Sequence, residues 1–245
     1  MQEQESALNF LKQVDWLEAG NVIPRWHDRG IRHGFEGLGH ELPPFGLHMK
    51  QVHSVTILEV KDEGSQGLVG QGDALATFLP THRIAVKTAD CVPILLFHHK
   101  FVMAVHAGWR GLAQDFIGEV ARFVTAKGYD LKECEWGIGP SIAPESYEVG
   151  PELLDVFLQN PKYQDDINWG ITKGIGDRWH IDLQTLAVLR LRREGVLPAH
   201  ISVIRSDTRT HPELWHSYRR NGEHAGRNWS WIEHGSASLA SLGLT

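Results

Sequence analysis

The apolar positions change period several times along the chain. Leu8, Leu11, Val14 and Leu17 recur at near-helical spacing, which predicts a helix or extension within residues 1–20. From Asn21 to Lys50 the text is rich in Gly, His and Pro and is expected to be mostly loop. The period then shortens to that of strands. VTILEV at 55–60, ALATFL at 74–79, RIAVKT at 83–88, VPILLF at 92–97 and FVMAVH at 101–106 are strand candidates, and several are continuously apolar, as in a sheet covered on both faces. In LAQDFIGEVARFVTAKG at 112–128, residues Leu112, Phe116, Val120, Phe123 and Val124 share one helical face, with Gly128 as the stop. A short strand at 135–139 precedes a helix opening on Pro151. Asp182 is placed to cap a third helix through Leu183, Leu186, Leu189 and Leu191, and 200–205 and 228–234 read as late strands.

Strands mixed with helices throughout predict an α/β fold: a single layered domain with a mixed β-sheet flanked by helices. No repeat, low-complexity tract or linker divides the chain, so residues 1–245 are read as one catalytic domain.

Composition narrows the partners. Hydrophobic residues make up 42% and charged residues 22%, enough apolar surface for a sizeable core. The net charge is -6 and no long basic run occurs, so a nucleic-acid or membrane partner has no electrostatic footprint here. The opening MQEQESALNFLKQ carries acids where a secretory signal needs a basic flank, and no later run approaches a membrane span. The expected location is therefore cytoplasmic. Cys91 and Cys134 are the two cysteines, too few for a disulfide framework, and are expected to be reduced thiols. The fifteen histidines identify nothing by number; position must sort them.

Candidate chemistry begins at a predicted hairpin. If 92–97 and 100–105 pair around a tight turn at His98 and His99, Cys91 stands directly opposite His106 with Cβ atoms ~4.5–5.5 Å apart, from where both side chains reach one metal ion. A slip of one residue would send them to opposite faces. The plainer reading is a buried small hydrophobe and a satisfied strand-end histidine. His106 is followed by AGWRG and then by the helix beginning near Leu112. A helix N-terminus there, with the forked donor Arg110, would suit phosphate; a Gly-containing loop with a solvated arginine is the alternative. A third donor must come from elsewhere. His53 precedes the strand at 55–60, but by position alone nothing separates it from His48 or His82. Asp73 and Asp90, near strand ends, are candidates to orient a ligand histidine or to bind a ribose hydroxyl.

Six strings then carry a resemblance: QVHS around His53, TADCVPILL around Cys91, VHAGWRGL around His106, GIGPSI near Pro140, YEVGPELL near Glu148 and HSYRRNGEHAGR near Arg219. In this order, from about His53 to Arg227, the chain resembles the YfiH or laccase-domain family, whose members are also called multicopper polyphenol oxidase, peptidoglycan-editing factor and purine nucleoside phosphorylase. The resemblance implies that His53, Cys91 and His106 are the metal ligands, and that the fold is a mixed α/β one similar to that of a bacterial toxin deamidase. It further places Ser217, Tyr218, Arg219 and Arg227 in a substrate pocket. The chain departs from the family before QVHS, where HGFEGLGHELPPFGLHMK is short and lacks the Arg of the family's Thr-Arg-x-Gly-Gly stretch. Its hairpin turn is shorter than is common there, and Ser146 replaces the usual Cys before YEV.

What the resemblance implies about activity is a zinc-dependent enzyme acting on adenosine-type nucleosides by phosphorolysis and deamination, with Cys91, His106 and Arg110 as catalytic residues. Its partners are small molecules, a nucleoside and phosphate, and the oligomeric state stays open. Three other readings accompany it. Copper-dependent phenol oxidation would want a weak axial ligand, for which Met49 and Met103 are the internal candidates, although the paired His-x-His motifs of multicopper oxidases do not occur here. Cys91 activated by His106 would hydrolyse an amide, as in editing of peptidoglycan precursors. A zinc-stabilised binding domain without turnover is the non-enzymatic reading.

Overall fold

A computed structural model describes residues 2–39, 46–161, 164 and 166–235. Its centre is a seven-stranded mixed sheet in the order β1 (Asp15–Leu17), β14 (Ile201–Ile204), β10 (Glu135–Ile138), β8 (Val92–His98), β9 (Phe101–Ala107), β6 (Ala74–Thr77) and β4 (Ile57–Val60). A five-stranded sheet runs β2 (His33–Glu36), β15 (Asn228–Glu233), β7 (Arg83–Thr88), β3 (Gly46–Lys50), β5 (Gly67–Gln71). A small third sheet joins β11 (Glu148–Val149), β13 (Trp179–Ile181) and β12 (Ile171–Lys173). The helices are α1 (Gln2–Leu11), α2 (Pro24–Asp28), α3 (Trp109–Ala113), α4 (Phe116–Ala126), α5 (Pro151–Leu158), α6 (Ile167–Gly170), α7 (Leu183–Arg193) and α8 (Tyr218–Asn221). The mixed α/β architecture expected from the sequence is present, built from three sheets where one was expected. No helix among the described residues is long and apolar enough to cross a membrane.

The continuous apolar runs of β8 and β9 follow from burial on both faces, since every residue of the two strands is buried. Alternate side chains divide between two cores. Val92, Ile94, Leu96, Met103 and Val105 pack with Phe116, Val120 and Val124 of α4 and Leu186 of α7. Leu95, Phe97, Val102 and Ala104 pack with Leu47, Ile84, Val86 and Ile232 of the five-stranded sheet. Truncating a buried aromatic such as Phe116 to Ala would cost about 3–5 kcal/mol.

Several local expectations are corrected. The segment 21–50, read as mostly loop, contains α2, β2 and β3, and its residues 40–45 lie outside those described. The helix read across 112–128 is two helices, and its first turn starts at Trp109. The break is Asp115, buried and held at φ 64°, with its carboxylate bonded to Arg190 of α7. A buried ion pair outweighs the local preference for an unbroken helix, and Gly118 leaves room for it: a Cβ there would come within 2.4 Å of the Asp115 carboxylate. By contrast Asp182 caps α7 as expected, accepting from Thr185 N at 2.9 Å.

The β8–β9 hairpin turns at His99 and Lys100, pairing His98 with Phe101 and Pro93 with His106. Cys91 is thus not directly opposite His106, as the turn at His98 and His99 would require. The register differs by two residues, which preserves the face of every side chain, so the two remain diagonal neighbours.

Candidate metal centre and cavity

One buried carboxylate organises the site. Asp73, fully buried immediately before β6, accepts from Nδ1 of His106 at 2.8 Å, from N of His53 at 3.0 Å, and from N and Oγ of Ser54, both at 2.7 Å. The strand end at His106 and the loop at His53 are thereby tied to the same two oxygens. His53 needs that tether, because it sits at φ 60°, a left-handed conformation that costs a non-glycine residue about 1–3 kcal/mol and persists only when neighbours enforce it. Burial pushes the Asp73 carboxyl up, but the hydrogen bonds from His106 and Ser54 outweigh it and hold the group down at about 2. Asp73 therefore stays ionised and orients the His106 ring: the Nδ1 proton faces the carboxylate, so Nε2 is the nitrogen turned toward Cys91, a donor to a metal once its proton has left.

Cys91 enters from the bend before β8. Burial raises its thiol, yet the charge and hydrogen bond of His106, with a further hydrogen bond from His53, bring it down to about 6. Burial lowers His106, whereas the charge of Cys91 and the hydrogen bond to Asp73 raise it to about 9. The two groups favour each other's charged forms. One donor atom from each of His53, Cys91 and His106 lies within 4.8 Å of the others, and the His53 and His106 rings meet edge to face at 4.9 Å. A tetrahedral zinc ion with bonds of ~2.0–2.3 Å would want such atoms roughly 3.3–3.8 Å apart, a contraction of up to about 1.5 Å. Two imidazoles and a thiolate are a fitting donor set for it. Gly108 completes the fit: a Cβ there would stand 3.0 Å from Cys91 Sγ and 3.3 Å from a His53 ring carbon, in the space of the cluster.

His53, Cys91 and His106 lie in the wall of an open cavity of about 700 Å³, within the range of small-molecule sites. Around them stand Trp109, Arg110, Tyr147, Tyr218, Arg219 and Arg227, together with Lys50, Lys87 and Asp90. The guanidinium of Arg110 stacks 4.6 Å over Trp109, and that of Arg219 lies 5.1 Å over Tyr147 and donates to Glu148 O at 2.9 Å. Burial pushes the Tyr147 hydroxyl well above its usual range, so it remains protonated. Asp90, at φ 86°, accepts from Thr208 Oγ1 and from Arg219 N, both at 2.6 Å, which seats Arg219 in the wall.

Not every expected site residue reaches the cavity. Ser217 is fully buried and caps α8, accepting from Arg220 N, so it supports the wall without lining it. Asp73 lies behind His106, outside the cavity lining, its oxygens engaged by the His106 ring and by His53 and Ser54. His48 packs edge-on against Trp229 at 5.4 Å, and His82 contacts Pro80 O, which separates both from His53. Lys50, Lys87 and Tyr147 went unnoticed in the sequence. Tyr147 begins the string YEVGPELL, the one available signal, whereas the lysines read as ordinary strand-end charges.

The fold and this site define a mixed α/β protein with a His–Cys–His cluster in the wall of a cationic cavity. Residues 36–234 match the family model described as multi-copper polyphenol oxidoreductase laccase, and the chain belongs to that family. It is 32% identical over 181 residues to a purine nucleoside phosphorylase of Bacteroides thetaiotaomicron, a match covering 71% of this chain and 65% of that protein. It is 35% identical over 171 residues to a purine nucleoside phosphorylase of Aquifex aeolicus, covering 70% and 74%. Among solved structures, YlmD from Geobacillus stearothermophilus superposes with a TM-score of 0.72 at 28% identity, covering 78% of this chain and 73% of that one. The hypothetical protein YfiH of Bacillus licheniformis superposes with a TM-score of 0.77 at 21% identity over 89% and 97%, which speaks for the fold alone. The family resemblance read from the sequence is upheld.

Proposed function

We propose that this protein is a zinc-dependent enzyme that processes purine nucleosides, cleaving the glycosidic bond with phosphate and deaminating adenosine-type substrates. The supporting observation is the juxtaposition in one cavity of the His53–Cys91–His106 cluster with the fixed guanidinium groups of Arg110 and Arg219. Similarity to proteins named purine nucleoside phosphorylase supplies the substrate class. His53, Cys91 and His106 would hold the zinc, which would supply Lewis acidity to bound substrate or solvent.

In phosphorolysis, a phosphate oxygen bonds to the ribose C1′ as the C1′–N bond breaks, and the base leaves with the electron pair and takes up a proton. Arg110 and Arg219 bind and orient the phosphate, a task suited to forked donors already held in place. A helix contribution is small, since α3 has only five residues. Trp109 and Tyr147, each lying between one of these guanidinium groups and the core, back the two arginines in the cavity wall. In deamination, water adds at C6 of adenine and ammonia departs. Incubating zinc-loaded protein with adenosine and phosphate is expected to yield adenine with ribose 1-phosphate, and inosine. The absence of all three products rejects the proposal.

The thiolate–imidazolium character of Cys91 and His106 favours one second reading, a Cys/His amidase. A chelator abolishes turnover in the first reading and spares it in the second. Copper oxidation has less support: Met103 packs in the helix-side core, leaving Met49 as the one axial candidate in the cavity wall.

A further inference from the structure

The cavity carries more positive charge than the reaction of a neutral nucleoside with one phosphate would use. Its described lining includes five cationic side chains, Lys50, Lys87, Arg110, Arg219 and Arg227, against one carboxylate, Asp90, already engaged by Thr208 and the Arg219 amide. The cations divide into two groups by position. Arg110 comes from α3 and Arg219 from α8, whereas Lys50, Lys87 and Arg227 gather at one end of the five-stranded sheet. There Leu47 of β3 pairs with Ile84 of β7, and three residues farther along these parallel strands stand Lys50 and Lys87. Asn228 pairs with Thr88, so Arg227 enters the same end. Gln51 fixes it, its side chain donating to Lys87 O at 2.6 Å and accepting from Lys87 N at 2.8 Å.

A second observation points to a ligand at that end. Thr88, also in the cavity wall, is 2% exposed and its hydroxyl has no hydrogen-bond partner among the described residues. A buried hydroxyl is nearly always paired, so this donor awaits an acceptor. Like charges lining one end of a cavity repel one another and favour an anion between them. A phosphate monoester, with ≈ 1.5–2 negative charges and three acceptor oxygens, answers both needs.

We propose that Lys50, Lys87, Arg227 and the Thr88 hydroxyl form a second anion subsite, and that the preferred substrate is a nucleoside 5′-monophosphate. This rests on the purine-nucleoside reading above. Inorganic phosphate occupies the Arg110–Arg219 side and the monoester the sheet end. Its reaction forms the bond from phosphate oxygen to C1′ and breaks C1′–N, releasing the protonated base and ribose 1,5-bisphosphate.

The test is calorimetric titration of the zinc-loaded protein with adenosine and with adenosine 5′-monophosphate, in the presence and absence of saturating inorganic phosphate. The monophosphate is expected to bind at least about tenfold more tightly, as one charge-assisted contact warrants, and to keep that preference in saturating phosphate. Lys50→Met and Lys87→Met, made separately so that a folding defect in one leaves the other to decide, should each bring the affinity ratio toward one. Equal affinities in the unaltered protein, a preference lost in saturating phosphate, or a preference that both variants retain overturns the proposal. Base release is read separately. Turnover of adenosine without preference for the monophosphate sinks the subsite alone, whereas a clear preference without base release from either ligand sinks the phosphorolysis reading alone.

Discussion

Replacing Asp73 with Asn keeps the size of the side chain at the centre of the site and removes its charge. In the folded protein the carboxyl is held at about 2 against an ordinary 3.8, a difference of roughly two units or about 2.5 kcal/mol in favour of the ionised form. The Asp73→Asn change would also turn an NH₂ group toward donors, since Ser54 N, Ser54 Oγ, His53 N and His106 Nδ1 all point at the present oxygens. Two effects follow, and a chelator separates them. The metal-free variant should lose about 2–3 kcal/mol of stability, a fall in melting temperature of roughly 5–10 °C for a chain of this size. With the His106 ring no longer oriented and the His53 loop released, zinc affinity measured against a chromophoric chelator should fall a further ~10–100-fold. A metal-free melting temperature unchanged within a degree, together with unaltered zinc affinity, would refute the claim that this carboxylate assembles the site.

Other outcomes follow from the same geometry. Gly108→Ala, at a backbone conformation that alanine tolerates (φ -74°, ψ 170°), should fold normally yet bind zinc at least ~10-fold more weakly, because its methyl meets Cys91 Sγ; equal affinity would contradict the steric argument. At pH 7.5 an alkylating reagent should modify metal-free protein at Cys91, whose thiol is lowered to about 6, and spare Cys134, buried and raised to about 12; mass spectrometry reads the site, and zinc should protect it. Arg110→Met should raise KM for phosphate by about tenfold or more with a smaller change in KM for nucleoside, and steady-state kinetics would show otherwise if Arg110 were merely solvated. His33, lowered by burial to about 4, accepts from Ile23 N through Nε2 at 2.7 Å while Nδ1 faces Ile31 O. Protonation breaks the first bond, so between pH 6.5 and 4 the unfolded chain takes up a proton that the folded one refuses. Stability should fall with pH across that window by up to about 3 kcal/mol, and urea titrations of His33→Gln should show a shallower slope.

The sequence by itself determined the elements whose cause is local. Two-sided burial writes β8 and β9 as unbroken apolar runs, helical spacing marks α4, and Asp182 caps α7. Six collinear strings sufficed to identify the family and to pick out His53, Cys91 and His106. Only the tertiary structure decided what depends on residues far apart in the chain. The Asp115–Arg190 pair spans 75 positions and breaks a helix that local periodicity would continue. The parallel pairing of β3 with β7 brings Lys50 and Lys87 into the wall of one cavity, although neither segment carries a sign of the other. The hairpin register differs by two residues from the expected one because period-two alternation reports the face of a strand and not the partner across it. Asp73 shows the limit most sharply: as a sequence letter it is one turn aspartate among several, and its role exists because folding carries the amides of residues 53 and 54 and the ring of His106 to the same two oxygens.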